Sequence, residues 1–596
     1  MRGLGRVGNW ARKRWQAASP SWRAIVLLSI ALLLSLILTL ALRPRPMEAP
    51  PPSPMAQGQV LSFPTSASTG SPPLLLNDDR LFYEPGWGTP EVQEFLAGRP
   101  GLLGGFRVQV GDEDVLVADV IAGKCLLYGL NPQVLLTLLE MQSGLVDDPH
   151  PAPETFDRAM GNPDEDVVGL EAQLDWAVRE LFRGTRDYGM TTSLVLNDGD
   201  LTPIPPGAAL ADYAVLRVVA RAGDESDLDR ALGNRPASFV QTYERLFGED
   251  PRLPLEVRPA PALRPFLTRP YEGEYEVSAV FDHHYPFLKE DGALVSHMGE
   301  APGLPYDGHD GWDYALDAGV PVLAAADGQV FWSGVSNDGC RTPALGVILD
   351  HGNGYQTLYW HLSRVDVRPG QQVSRGEILG LAGETGCADG PHLHFGVHFL
   401  GRETDPEGWC GKGQDPWALH PAGTVSTWLW ADRFSPCRWP EGAILVDESD
   451  PAFQRSGNRW SEGGGGVKGK ALWAPSEPHS GMVPVGGEQL DGIVEGGTWR
   501  PDLPRTGRYH LYAFIPYWNN ATPDTRAARY LIHHAGGETI VSVDQSLWVD
   551  RWADLGLYDF PAGRQSFVYL DILTDEEGFC VWFDAVLWVP DTGGNR

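Results

Sequence analysis

Between residues 309 and 394 the chain gathers side chains that bind borderline metal ions. They are His309 and Asp313 in His309-Asp310-Gly311-Trp312-Asp313, His361 after Tyr359-Trp360, and the pair in His392-Leu393-His394-Phe395. Imidazole nitrogen combined with carboxylate oxygen is a donor set that suits zinc. Residues i and i+2 of a strand point to the same side, so His392 and His394 project together into one cleft. His309 and Asp313 are four apart, and Gly308 and Gly311 break any helix there, so an extended segment can bring both onto that face. His309, Asp313 and His394 are then three ligands for one zinc ion with a fourth position open, which distinguishes a catalytic zinc from a structural one.

The segment from about 300 to 400 resembles the catalytic domain of the lysostaphin/LytM-type zinc metallopeptidases. The resemblance rests on His309-x-x-x-Asp313, His361, His392-Leu393-His394, Ala326-Asp327-Gly328-Gln329-Val330, His351-Gly352-Asn353-Gly354-Tyr355 and Gly390-Pro391. It implies an all-β metallopeptidase domain over residues 275–430 with one Zn2+ held by His309, Asp313 and His394. It also implies that His361 and His392 are the two non-ligand histidines, which handle protons and polarise the substrate carbonyl. By the same resemblance the substrate is the peptide part of peptidoglycan. A peptidase of extracellular proteins and a wall-binding scaffold without turnover are the competing readings. His351 and His398 are read as structural, and so are His283 and His284 in Phe281-Asp282-His283-His284.

Length and charge bound the rest. A chain of 596 residues has material for several cores. A net charge of −32 excludes nucleic acid as partner, because phosphate backbones demand clustered Lys and Arg. Residues 1–23 are basic and acid-free, and residues 24–42 are uninterruptedly apolar. At about 1.5 Å per residue that run reaches ~28 Å, enough to cross a bilayer. The expectation is a transmembrane signal anchor in the cell membrane, with residues 1–23 cytoplasmic and the bulk of the chain extracytoplasmic. A secreted protein with a cleaved signal is the alternative. All six cysteines follow that run, in a compartment that permits disulfides. Pairings 340–387 and 410–437 are expected, though spacing alone leaves connectivity open.

In chain order, residues 43–75 read as a proline-rich linker. Residues 76–265 read as a mainly α domain: Asn131-Pro132 opens one helix, Leu170, Leu174, Val178 and Leu181 keep helical spacing in a second, and a third ends at Gly248. The stretch Leu139-Glu140-Met141-Gln142-Ser143-Gly144 weakly resembles the catalytic helix of lysozyme-like transglycosylases. Gln142 stands where their acid stands, and an amide cannot protonate a glycosidic oxygen, so this domain reads as a binding module or spacer with Glu140 as a residual candidate. Residues 438–592 alternate with period two and resemble the golvesin-like domains, in Trp499-Arg500-Pro501, Gly507-Arg508-Tyr509 and Asp584-Ala585-Val586. That implies an antiparallel β-sandwich accessory, with Trp499, Trp518 and Trp548 as candidates for stacking on a glycan. The expected fold class is therefore multidomain: a transmembrane helix, a mainly α domain, an all-β metallopeptidase domain and a β-sandwich.

Overall fold

The computed structural model describes residues 74–255, 259–262, 264–284, 286, 293–305, 308–337, 340, 342–478, 494–516 and 522–591. Residues 74–265 contribute five principal helices: α1 Val117–Leu127, α2 Pro132–Ser143, α3 Leu170–Asp187, α4 Leu210–Ala222 and α5 Phe239–Phe247. Asn131 caps α2 through a bond from Gln133 N, Pro132 fills its first turn, and Gly144 ends it in the left-handed region (φ 70°). Leu75 and Leu76 are fully buried, and the Asp212 carboxylate accepts their backbone N–H groups.

The second element group is an eight-stranded sheet. Its strands include β1 Val277–Ala279, β2 Gly311–Tyr314, β3 Gly328–Ser336, β4 Ala344–Asp350, β5 Tyr355–Trp360, β6 Gln372–Val373 and β7 Leu393–Phe399, in the spatial order β6-β3-β4-β5-β7-β2-β1. All of these pairings are antiparallel. Trp312, Tyr314, Tyr359, Leu393 and Phe395 are completely or almost completely buried beneath it.

Beyond residue 440 antiparallel sheets enclose a separate core of Trp499, Tyr509, Leu511, Trp582 and Trp588. Strand Gly507–Ile515 shows the expected alternation, with Tyr509, Leu511, Ala513 and Ile515 facing this core. Its other face is also occupied: Phe514 and Tyr512 join a cluster with Trp552, Ala585, Leu587 and, from the catalytic region, Met298.

The expected transmembrane helix is not part of this fold. Residues 24–42 lie outside the described residues, and among the described residues no helix is long and apolar enough to cross a membrane. The longest, α3, has 18 residues and carries Glu171, Asp175, Arg179, Glu180 and Arg183 along its length, whereas a span needs about 20 predominantly apolar residues. The fold class is corrected to a mainly β protein with an α-helical N-terminal region.

Candidate metal centre and cleft

Strand register brings the metal-binding side chains together. His394 on β7 lies directly opposite Asp313 on β2, and opposite Trp360 on β5, the residue before His361. Cross-strand partners share a face, so His394 and Asp313 emerge side by side. His309 joins them from the turn that precedes β2. The result is a triangle of donor atoms: His309 Nε2 is 3.0 Å from His394 Nδ1 and 3.1 Å from Asp313 Oδ1, and His394 Nδ1 is 3.0 Å from Asp313 Oδ1. Gly311 is required between them, because a Cβ there would stand 2.7 Å from the His394 ring and 2.7 Å from the Phe395 carbonyl.

Each imidazole is oriented by its other nitrogen. His309 Nδ1 donates to the Val280 carbonyl at 3.2 Å, which leaves Nε2 for the triangle. His394 Nε2 faces Asp310 Oδ1 at 3.6 Å, so Asp310, half-exposed, backs the ring rather than entering the triangle beside Asp313. Burial pushes the Asp313 carboxyl up, but His309 and His394 override it and hold the group well below the ordinary carboxylate range.

Two further histidines stand beside the triangle. The His361 and His392 ring centres are 4.6 Å apart, and His361 is 6.0 Å from His394. His361 Nδ1 donates to the Thr385 carbonyl at 2.6 Å and His392 Nδ1 to the Gly390 carbonyl at 2.8 Å. Since a carbonyl only accepts, both rings carry their proton on Nδ1 and offer Nε2 as a base. Burial, and next the nearby His394, lower the His361 pKa to about 4, which keeps it neutral at physiological pH. It sits at φ 62° on leaving β5, a conformation that costs of order 1–3 kcal/mol outside glycine and tends to persist at functional sites. Thr385 and Gly390 belong to one loop, and the Cys340–Cys387 disulfide ties that loop down.

Residues 307–406 match peptidase family M23, residues 74–259 match LasA, N-terminal domain, and residues 494–589 match the Golvesin C-terminal domain. The chain carries a peptidase family M23 domain. Among curated relatives, an uncharacterized metalloprotease of Haemophilus influenzae is 43% identical over 98 residues, 16% of this chain and 20% of that protein. Peptidoglycan DD-endopeptidase ShyA of Vibrio cholerae is 36% identical over 143 residues, covering 23% of this chain and 28% of ShyA. Protease LasA of Pseudomonas aeruginosa is 28% identical over 299 residues, covering 46% and 64%. The chain thus spans about a fifth to two thirds of the length of these relatives.

The M23 domain uses zinc, and the donor triangle fits it. Zn–N and Zn–O bonds of about 2.0–2.2 Å set ligand atoms roughly 3.3 Å apart in a tetrahedron, close to the 3.0–3.1 Å sides observed. His309 has its second nitrogen bonded to the Val280 carbonyl, and His394 has the Asp310 carboxylate 3.6 Å from its own.

The cleft over the triangle has a volume of about 660 Å³. Part of its lining is not in the M23 domain at all: Leu127 and Tyr128 at the end of α1, with Arg179 and Phe182 on α3, line it together with the histidines. An ion pair buried at both ends, Arg186 to Glu403, fixes α3 to the M23 domain. The sequence does not point to these lining residues, to Thr385, or to Gly390 as an acceptor for His392, because these roles depend on a docking and a loop path that spacing does not encode.

None of the remaining candidates joins the donor triangle. His283 is fully buried between Asp405 and Asp415, with both contacts at 2.9 Å. His351 bonds the Asp327 carbonyl and Thr357. His398 is buried at the back of the cleft. Glu140 accepts from Val146 N and Asp147 N and pairs with Arg245, so its carboxylate holds a turn. Trp499 is buried and donates to the Asp584 carbonyl, which removes it as a stacking platform. Trp548 lines a separate cavity of about 340 Å³, and Trp518 lies outside the described residues. The second expected disulfide, Cys410–Cys437, is formed.

Proposed function

We propose that the protein is a zinc endopeptidase that hydrolyses peptide bonds of peptidoglycan outside the cytoplasm. The observation that carries the chemistry is the triangle of His309, Asp313 and His394 with the His361 and His392 rings beside it, each anchored through Nδ1 on a backbone carbonyl. When bound, zinc supplies Lewis acidity toward a peptide carbonyl. His392, with Nε2 3.7 Å from Asp313 Oδ2, is placed to take a proton from the attacking water. His361 Nε2 accepts the second proton of that water as the carboxylate forms, and the two histidines return both protons to the amine nitrogen as the C–N bond breaks, so it leaves as the ammonium. Phe182 and Tyr128 line the same cleft from the helical region.

Peptidoglycan as substrate draws support from ShyA and from the DD-carboxypeptidase/endopeptidase Mpg of Neisseria meningitidis, 40% identical over 100 residues. The extracytoplasmic location draws support from the two disulfides. A second reading, cleavage of proteins, is favoured by the longer match to Protease LasA.

The test is zinc content together with release of new amino termini from purified peptidoglycan and, in parallel, from a protein substrate such as casein. His394→Ala is expected to lose zinc and turnover together, and His392→Ala to keep zinc and lose turnover. Wild-type turnover in His394→Ala would refute the ligand assignment, and cleavage of casein alone would select the second reading.

A further inference from the structure

A second group of chelating side chains lies in the C-terminal domain. Strand β8 Ile444–Val446 pairs antiparallel with β10 Val586–Pro590, which follows β9 Cys580–Phe583. Register sets Val446 opposite Val586, so the chain leaving β8 at Asp447-Glu448 meets the chain entering β10 at Asp584. Ligand oxygens of Asp447, Glu448 and Asp584 consequently lie within 4.8 Å of one another. Asp447 is fully buried and Asp584 is 2% exposed.

The local bonds satisfy only the outer oxygens. Asp447 Oδ1 accepts from Ser449 N at 3.0 Å and faces Lys468 Nζ at 3.6 Å; Asp584 Oδ2 accepts from Val467 N at 3.0 Å. Asp447 Oδ2, Glu448 Oε2 and Asp584 Oδ1 are buried without a hydrogen-bond partner among the described residues. Lys468 does not supply the missing charge, because it pairs mainly with Asp450 and its side chain is 43% exposed. Leaving three carboxylates together and dry is costly. Burial pushes the Glu448 pKa up to about 7 and that of Asp584 well above the carboxylate range, so sharing protons is the competing solution. The glycine-rich loop closes over the group: a Cβ at Gly466 would stand 2.8 Å from Asp584 Oδ2 and 1.9 Å from the Lys470 carbonyl.

We propose that Asp447, Glu448 and Asp584 bind a hard divalent cation of the calcium type that clamps β8 to the start of β10. All donors are oxygen, which selects hard cations, and an all-carboxylate cage is the donor set calcium takes, whereas magnesium usually keeps several waters and one or two carboxylates. The clamp acts on more than the domain's own edge. Ala585 and Leu587, next to Asp584, belong to the apolar seam with Met298 of the catalytic region, so the cation steadies the junction between the two.

The experiment uses the whole protein, stripped with chelator and reloaded with one equivalent of zinc, then titrated with calcium chloride. Saturating calcium is expected to raise the melting temperature by about 5 °C. In buffers of different ionisation enthalpy, binding is expected to release protons near pH 6.5, because carboxyls protonated in the ion-free site must ionise. Terbium replacing calcium is expected to luminesce on tryptophan excitation, since Trp499 Nε1 is bonded to the Asp584 carbonyl at 2.7 Å. Asp447→Asn/Asp584→Asn should abolish all three responses. Glu448→Gln, a milder change should the double variant not fold, should weaken calcium binding at least tenfold. No calcium response in the wild type, or unchanged affinity in Glu448→Gln, would overturn the proposal. A double variant that melts higher without calcium, from a wild type that binds none, identifies proton sharing instead.

Discussion

His283 makes the support beneath the metal centre dependent on pH. The imidazole is fully buried, and desolvation alone would lower its pKa, but Asp405 at Nε2 and Asp415 at Nδ1 outweigh that and raise it to about 9 from 6.5. Asp405 reaches the centre through its other oxygen, which accepts from Trp312 Nε1 at 2.9 Å, one residue before Asp313. The folded protein therefore holds a proton that the unfolded chain releases above about pH 6.5. Stability from this group is complete below pH 6.5 and is lost as pH rises through about 9. A difference of 2.5 units corresponds to about 3 kcal/mol at ~1.36 kcal/mol per unit. The assay is hydrogen exchange of the peptide spanning β2, zinc-saturated, corrected for intrinsic rates, at pH 6.5 and pH 9. The opening free energy is expected to fall by about 3 kcal/mol in the wild type, and by much less in Asp415→Asn and His283→Gln. A pH-independent opening free energy in the wild type, or an equal fall in His283→Gln, would refute the reasoning.

Further outcomes follow from the same contacts. Cys340→Ser/Cys387→Ser frees the loop that fixes the Nδ1 protons of His361 and His392, and should lower kcat about 10- to 100-fold with zinc content unchanged. Glu403→Ala removes the buried carboxylate that pairs with Arg186, at a cost of about 3–5 kcal/mol in thermal or denaturant unfolding, and should raise KM by loosening α3, which lines the cleft. Glu140→Gln weakens a turn bonded at Val146 N and Asp147 N and should cost about 1–2 kcal/mol; release of reducing ends from glycan strands should be absent before and after. Trp499→Ala empties part of the C-terminal core and should cost about 3–5 kcal/mol, whereas a sugar platform would lose glycan affinity without loss of stability.

What the sequence made legible is what depends on short-range periodicity. His392 and His394 share a face because strands alternate, and Asn131-Pro132 opens α2 because capping is local. Helix α1 is hidden in the sequence for a physical reason: of Val117 to Leu126 all but Asp119 are buried, so the segment shows no polar face for a 3.6-residue period to reveal. The same limit explains strand Gly507–Ile515. Its alternation located the core face correctly, but Tyr512 and Phe514 on the other face are covered by a seam that pattern alone would leave to solvent.

The cleft obeys this division between local and distant causes. Its chemistry comes from three short segments whose residues can be picked out one by one, because ligand geometry is set by strand register and by Gly311. Its shape comes from α1 and α3, brought there by Arg186 and Glu403, which are more than two hundred positions apart in the chain. On the proposed function, bond cleavage resides in the M23 domain, while the helical region lines the cleft through which a substrate enters. Replacing Phe182 with Ala should accordingly widen the cleft and relax selectivity between peptide substrates, with zinc affinity and the pH profile unchanged; a lost metal or a shifted profile would place Phe182 in the chemistry instead.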